Sequence, residues 1–469
     1  MTPHLKQDFG QLQSLLSDIT NQAAGYLGSL PGRSVFAIPE IADLPEPAEE
    51  GLGTAKTLEL FNTRFEPLMV ASSGPRYLGF VTGGTTPASI VGDWLATVYD
   101  QNTQVSRGEG DISAVIEEEA ISLLLDLFEL PAEFFGGFVT GATMSNFTCL
   151  GVARQWYGKQ QEKDYAKDGI TDRVNVLSAT PHSSSVKSLA MLGLGSRNII
   201  RVNTADGNRE AMDTEDLERR IRALNGAPFI LISSAGTVNT VDFDNFNAIA
   251  RLRENHNFWW HIDAAFGGFA ACSPQHKHLL EDWEKADSIT IDCHKWLNVP
   301  YDSAFFLVRE EHKRLQVETF QNSDAPYLGD PSENFNYLNF LPENSRRLRA
   351  LPVWFTLMAY GKKGYRHIVE NSVKMSGLLE EFIVQSPKFE LLAPVRLNTV
   401  CFTLSGTENQ ETVSRFLSAL NRTGKVFMTP TVYRDRKGIR AAFVNWMTDE
   451  NDIRIITEYM DRIAGEILQ

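Results

Sequence analysis

Between residues 174 and 308, short apolar runs alternate with helical patterns, and this alternation limits the folds open to the chain. The runs are Val174–Leu177, Phe229–Ser233, Phe258–Ile262, Ser288–Ile291 and Ala304–Val308. They are apolar almost throughout rather than at every second position, so both faces of each strand need cover. Helical patterns fill several intervals, as at Thr214–Leu224 and Phe246–Asn255. Strand–helix–strand units of this kind predict an α/β layer with a mostly parallel sheet. The last two runs lie too close together for a helical crossover, which leaves room for an antiparallel edge.

The flanks have a different texture. Residues 5 to 65 read as helices broken by Pro31, Pro39, Pro45 and Pro47, an arm with little core of its own. Ile112–Leu130 has apolar residues at spacings of three and four and reads as a helix. After Arg346 a long helix, Leu351–Val373, is followed by strands near Thr399–Leu404 and Arg440–Val444 and a terminal helix, Glu450–Leu468. The expected division is an N-terminal helical arm (1–78), a large domain (79–345) and a small α+β C-terminal domain (346–469).

Composition narrows the function classes. Apolar residues are 43% of the 469 and charged residues 22%, the balance of an ordinary globular protein. A net charge of −15 disfavours a phosphate backbone, so nucleic acid is not an expected partner. The four cysteines form no CxxC pair, so neither a zinc knuckle nor a disulfide framework is expected. No apolar leader opens the chain, and Asp126 and Glu129 interrupt its most apolar helix, Ala120–Leu130. The expectation is a cytoplasmic enzyme with a small-molecule substrate and no membrane contact.

The chemistry concentrates in HIDAAFGG (His261–Gly268) and SITIDCHKWLNVPYDSAF (Ser288–Phe305). Asp263 closes one strand, Lys295 follows another, and 32 residues separate them, about one βαβ unit. Beyond the carboxyl ends of parallel strands, a carboxylate and an amine can face one crevice. Pyridoxal phosphate needs that pair: a lysine to form a Schiff base, and an acid that keeps the pyridine nitrogen protonated as an electron sink. An isolated Lys and Asp would more often be a solvated side chain and a helix cap. Here Lys295 lies between His294 and Trp296, and Gly267–Gly268 allow close backbone approach.

With these motifs the sequence resembles the pyridoxal-phosphate-dependent amino-acid decarboxylases of the aromatic amino acid and glutamate decarboxylase group (group II). The resemblance runs from about Arg33 to the C-terminus. It implies an aspartate aminotransferase-like fold type I enzyme, an obligate homodimer with a swapped arm and sites at the subunit interface. It also implies decarboxylation of an L-amino acid to its amine, a carboxy-lyase reaction. GFVTGATMSNFT (Gly137–Thr148) is similar to the family's phosphate-holding turn, which assigns Ala142 and Thr143 to phosphate. His182 matches the residue stacked on the cofactor ring, Thr237 the support of the Asp–pyridine contact, and Ala265 the packing on the opposite ring face. His294 is a candidate for bonding phosphate or moving protons. Asp292 stands where relatives often carry Asn, and a carboxylate there would repel phosphate.

Counting back from Arg346 places Tyr337 where relatives carry a tyrosine that protonates the α-carbon, with Tyr327 as the competing candidate. Arg440 lies where glutamate-type relatives bind a carboxylate, and Phe80 where the substrate enters. Gly79 replaces a tyrosine, which would enlarge the pocket. No metal ligands are expected. The competing readings are an oxidative aldehyde synthase, against which Tyr337 argues; another fold type I lyase or transaminase; and a silent cofactor-binding protein. The substrate's side chain stays open among aromatic, acidic and small aliphatic types.

Overall fold

The computed structural model describes residues 3–39, 49–104, 112–321, 336–406 and 410–468. Seven strands form the main sheet: β1 (Phe134–Val139), β2 (Val176–Ser178), β3 (Ile199–Arg201), β4 (Phe229–Ser234), β5 (Phe258–Asp263), β6 (Ser288–Asp292) and β7 (Ala304–Arg309). Their spatial order is β1-β7-β6-β5-β4-β2-β3. The pairs β3/β2, β2/β4, β4/β5 and β5/β6 are parallel, and β7 runs antiparallel to both β6 and β1. The expected antiparallel element is therefore an inner strand, and β1 forms the edge.

Every residue of β4, β5 and β6 is buried. Trp260, Ile262 and Phe305 join the core on one face of the sheet, and Trp259, Ile230 and Phe306 join the core on the other. This two-sided burial is the reason those runs carry so little polar alternation. In register, Ser234, Asp263 and Thr290 lie side by side, so the chain leaves β4, β5 and β6 at one level.

A second, antiparallel sheet contains β8 (Phe389–Leu391), β9 (Thr399–Leu404), β10 (Thr429–Tyr433) and β11 (Arg436–Ala442), in the order β10-β11-β9-β8. The long helix Ala350–Gln385 joins the two parts and breaks at Gly361, whose φ is 56°. Val353, Leu357 and Val369 pack into the main core, while Met375, Leu379 and Ile383 pack into the core of the second sheet. The end of the arm also meets the second sheet. Leu78 donates its N–H to Phe427 O at 2.8 Å, and Arg76 pairs with Asp452 at 2.6 Å. No helix among the described residues is long and apolar enough to cross a membrane.

Candidate active site

The carboxyl ends of β2, β4, β5 and β6 open on one cavity of about 560 Å³. Strand β5 delivers Asp263 and the following Ala265 and Phe266, and the turn after β6 delivers Lys295. His182 and Thr237 enter from the turns after β2 and β4, and Phe80 and Arg440 close the cavity from the arm side and from β11. Residues spread over 361 positions thus meet where an open parallel sheet places its ligand.

Asp263 is held from three directions. Asn146 Nδ2 donates to its Oδ2 at 3.1 Å and Ser185 Oγ at 3.0 Å, while the Ala265 N–H reaches Oδ1 at 3.3 Å. Burial alone would raise its pKa, but His182, Lys295 and His261 nearby, with the Asn146 amide, outweigh it and hold the carboxyl below its usual range. Asn146 also accepts from His261 Nε2 at 2.8 Å, and His261 Nδ1 lies 2.9 Å from Ser288 Oγ. Burial pushes His261 down to about 4, so it stays neutral. These donor directions place its proton on Nε2.

His182 caps the helix Ser183–Met191. Its Nδ1 accepts from Ser184 N at 3.2 Å and lies 2.7 Å from Ser184 Oγ, which leaves the proton on Nε2. Burial lowers its pKa against the pull of Asp263, and Lys295 lowers it further, so the flat ring faces the cavity neutral.

Lys295 Nζ lies 2.8 Å from Asp292 Oδ2 and 5.7 Å from the centre of the Phe266 ring. Behind it, a Cβ on Gly83 would come within 1.6 Å of the Lys295 carbonyl oxygen. Only glycine lets the segment Gly79–Pro87 (GFVTGGTTP) lie against the turn that carries Lys295. Asp292 Oδ1 accepts the Ala142 N–H at 2.6 Å, the first amide of the helix Ala142–Lys159. His294 Nε2 lies 3.6 Å from Asp292 Oδ1, its Nδ1 accepts from Ser303 N at 3.2 Å, and its ring stacks on Tyr301 at 4.3 Å. Thr143 follows Ala142 in the first turn, half-buried. A ring-sized cavity with an ionised carboxylate, an amine, a flat imidazole and a helix N-terminus beside it fits pyridoxal phosphate.

Three expectations need correction. Thr237 does not reach Asp263; its hydroxyl donates to Glu210 Oε2 at 2.6 Å, because the turn after β4 folds back towards the 203–213 loop. The place left by the missing side chain of Gly79 does not enlarge the pocket. A Cβ there would lie 2.5 Å from the Phe427 ring, which already fills that space. Tyr337 is fully buried away from the cavity, with its hydroxyl 3.4 Å from Gly136 O and its ring 4.8 Å from the Arg346 guanidinium. It begins a short helix, capped by Asn336, that tucks beneath β1, so it is in no position to protonate a carbon beside Lys295 of the same chain. Tyr327 lies outside the described residues.

Glu210, Asn146 and Ser185 were missed. Glu210 lines the cavity and takes bonds from Thr237, from Thr240 and, at 3.3 Å, from Asn239. Arg440 Nη1 donates to Val238 O at 2.8 Å, while its buried Nε–H has no hydrogen-bond partner among the described residues. Asn146 had one local signal: it stands four residues after Ala142, one turn into the helix that starts the phosphate motif.

The model of the pyridoxal-dependent decarboxylase conserved domain matches residues 54–405. The chain belongs to the pyridoxal-dependent decarboxylase family. An aromatic-L-amino-acid decarboxylase of Bacillus atrophaeus is 26% identical over 89% of this chain and 87% of its own length. A phenylacetaldehyde synthase of Petunia hybrida is also 26% identical, over 89% of this chain and 85% of its own. Among solved structures, Oryza sativa TDC with PLP and tryptamine superposes with a TM-score of 0.87 at 21% identity, covering 98% of this chain and 99% of that one. The fold is thus fold type I, the cofactor is pyridoxal 5'-phosphate, and the reaction is the decarboxylation of an L-amino acid by a carboxy-lyase.

Proposed function

We propose that Lys295 joins the cofactor to the chain, that Asp263 is the counter-charge of its ring nitrogen, and that His182 covers the ring and orients the substrate carboxylate. The single observation behind this reading is the meeting of Lys295 and Asp263, from consecutive parallel strands, in one cavity. Ala142, Thr143 and His294 are assigned to phosphate, Ala265 to the ring face opposite His182, and Phe80 and Arg440 to substrate. Thr237 acts through Glu210.

Bound pyridoxal phosphate supplies the electron sink for breaking the bond to the carboxylate. Asp263 meets it ionised, and only the long Ala265 contact is seen at its Oδ1, so that oxygen retains capacity for a cationic N–H. Asp292, 2.8 Å away, pairs with the Lys295 amine and fixes where it points in the cavity. Neutral His182 offers its Nε2–H to a carboxylate without adding charge. The Phe266 ring lies beside the amine, 5.7 Å from it.

The cavity joins aromatic faces (Phe80, Phe266) to polar groups (Glu210, Arg440). A ring ending in a polar group satisfies both, in line with the aromatic amino acids named for the relatives. The exposed apolar residues of the arm support a homodimer, and the absence of disulfide-type cysteine usage supports a cytoplasmic setting. Oxidative aldehyde formation is the second reading, because Tyr337, the residue set against it, lies outside the cavity. The test is carbon dioxide release from a panel of carboxyl-labelled L-amino acids, with amine, aldehyde and peroxide measured together. Equal amine and carbon dioxide, greatest for an aromatic substrate, is expected. Peroxide in step with carbon dioxide would select the oxidative reading.

A further inference from the structure

Asp292 ends β6 and is buried, with 2% of its surface exposed. One of its oxygens takes the first N–H of the helix Ala142–Lys159 at 2.6 Å, and the other pairs with Lys295 Nζ at 2.8 Å. Each contact has its own cause. The N-terminal end of a helix favours an anion, and an ammonium out of water needs a counter-charge. A single carboxylate answers both demands, and it does so at the helix end and the amine that the cofactor needs.

A phosphate ester carries up to about two negative charges near neutral pH. Bringing it to the Ala142 helix end places it beside a buried carboxylate that already uses that N–H. We propose that Asp292 is an internal anion that holds the cradle and Lys295 in place before loading, and that it competes with the phosphate group of the incoming cofactor. The chain thereby gives up cofactor affinity for a pre-set site.

Removing the charge at residue 292 has two effects that can be separated. Loss of the contact to Lys295 acts on any pyridoxal-type aldehyde alike, because the aldehyde end is the same with or without phosphate. Relief of repulsion acts only on the form that carries phosphate. The quantity to measure is therefore the ratio of dissociation constants, pyridoxal over pyridoxal phosphate, obtained by titrating cofactor-stripped protein.

In Asp292→Asn this ratio should rise about tenfold or more over wild type, whatever happens to either constant alone. Asp292→Ser, which also lacks the charge, should move the ratio in the same direction, so misfolding of one variant does not decide the matter. A ratio unchanged or lowered in both variants would overturn the proposal. The inference rests on the assignment of Lys295 and the Ala142 helix end to the cofactor. Failure of that assignment has a separate signature: Lys295→Ala would then bind both compounds as tightly as wild type.

Discussion

Asn146 donates its side-chain amide to Asp263 at 3.1 Å and so ties the carboxylate at the end of β5 to the helix that begins at Ala142. The same amide accepts the Nε2–H of His261 at 2.8 Å, so one side chain sets the direction of both. Asn146→Leu keeps the volume and removes both bonds, together with a third that Asn146 donates to Ser184 Oγ at 3.1 Å. Leaving such buried groups unpaired costs roughly 1–3 kcal/mol each. The Asp263 carboxyl should titrate higher and turnover should fall at least about tenfold, with a native circular dichroism spectrum. Unchanged steady-state kinetics would show that Asp263 needs no such support.

Tyr337→Phe should leave the ratio of amine to aldehyde unaltered, because its hydroxyl faces Gly136 O rather than the cavity. If Tyr327, the competing candidate, is the proton donor, Tyr327→Phe should lower amine and raise aldehyde with peroxide in air. Product ratios for both variants, in air and under nitrogen, distinguish the two tyrosines. A shift confined to Tyr337→Phe would restore that residue to the chemistry.

His182 gives a prediction in pH. Burial lowers its pKa below the usual histidine range, so its neutral form persists as the pH falls through about 6.5. It gains a proton only at lower pH. The profile of kcat/KM should therefore stay level through that region and decline on its acid side. In His182→Gln, activity should be lower and the component of the acid limb due to His182 should be gone. An acid limb of the same position and steepness in that variant would assign it to another group.

The arm and its neighbour expose apolar side chains that one chain leaves uncovered: Leu5, Phe9 and Leu16 on the arm, and Trp94, Val98 and Tyr99 on the helix Pro87–Tyr99. Sedimentation should show a dimer at assay concentrations. Phe9→Asp with Val98→Asp should weaken it and reduce activity together. A fully active monomer would contradict the subunit arrangement.

The inner parallel strands β2, β4, β5 and β6 were legible because burial on both faces writes itself as apolar runs, and Asp263 and Lys295 because strand ends line a crevice; β3 (Ile199–Arg201), at the sheet edge and only partly buried, was not. Strand β1 was not, since Gly136 and Gly137 within FFGGFV weaken any strand pattern. Strand β11 begins at Arg436 rather than Arg440; its exposed first residues, Arg436 and Lys437, followed by Gly438, gave no strand pattern. Tyr337 was misplaced because counting along a loop measures chain length and not position in space. Glu210 carried no signal at all: its partners Thr237, Asn239 and Thr240 come from a turn some thirty residues away.

Lys295, facing Asp263 in the cavity, is the lysine proposed to carry the cofactor. Borohydride reduction of the holoenzyme, followed by peptide mapping, tests it most directly. A single modified peptide should bear the reduced cofactor on Lys295, and none should appear in Lys295→Ala. A label on any other lysine of the wild-type protein would contradict it.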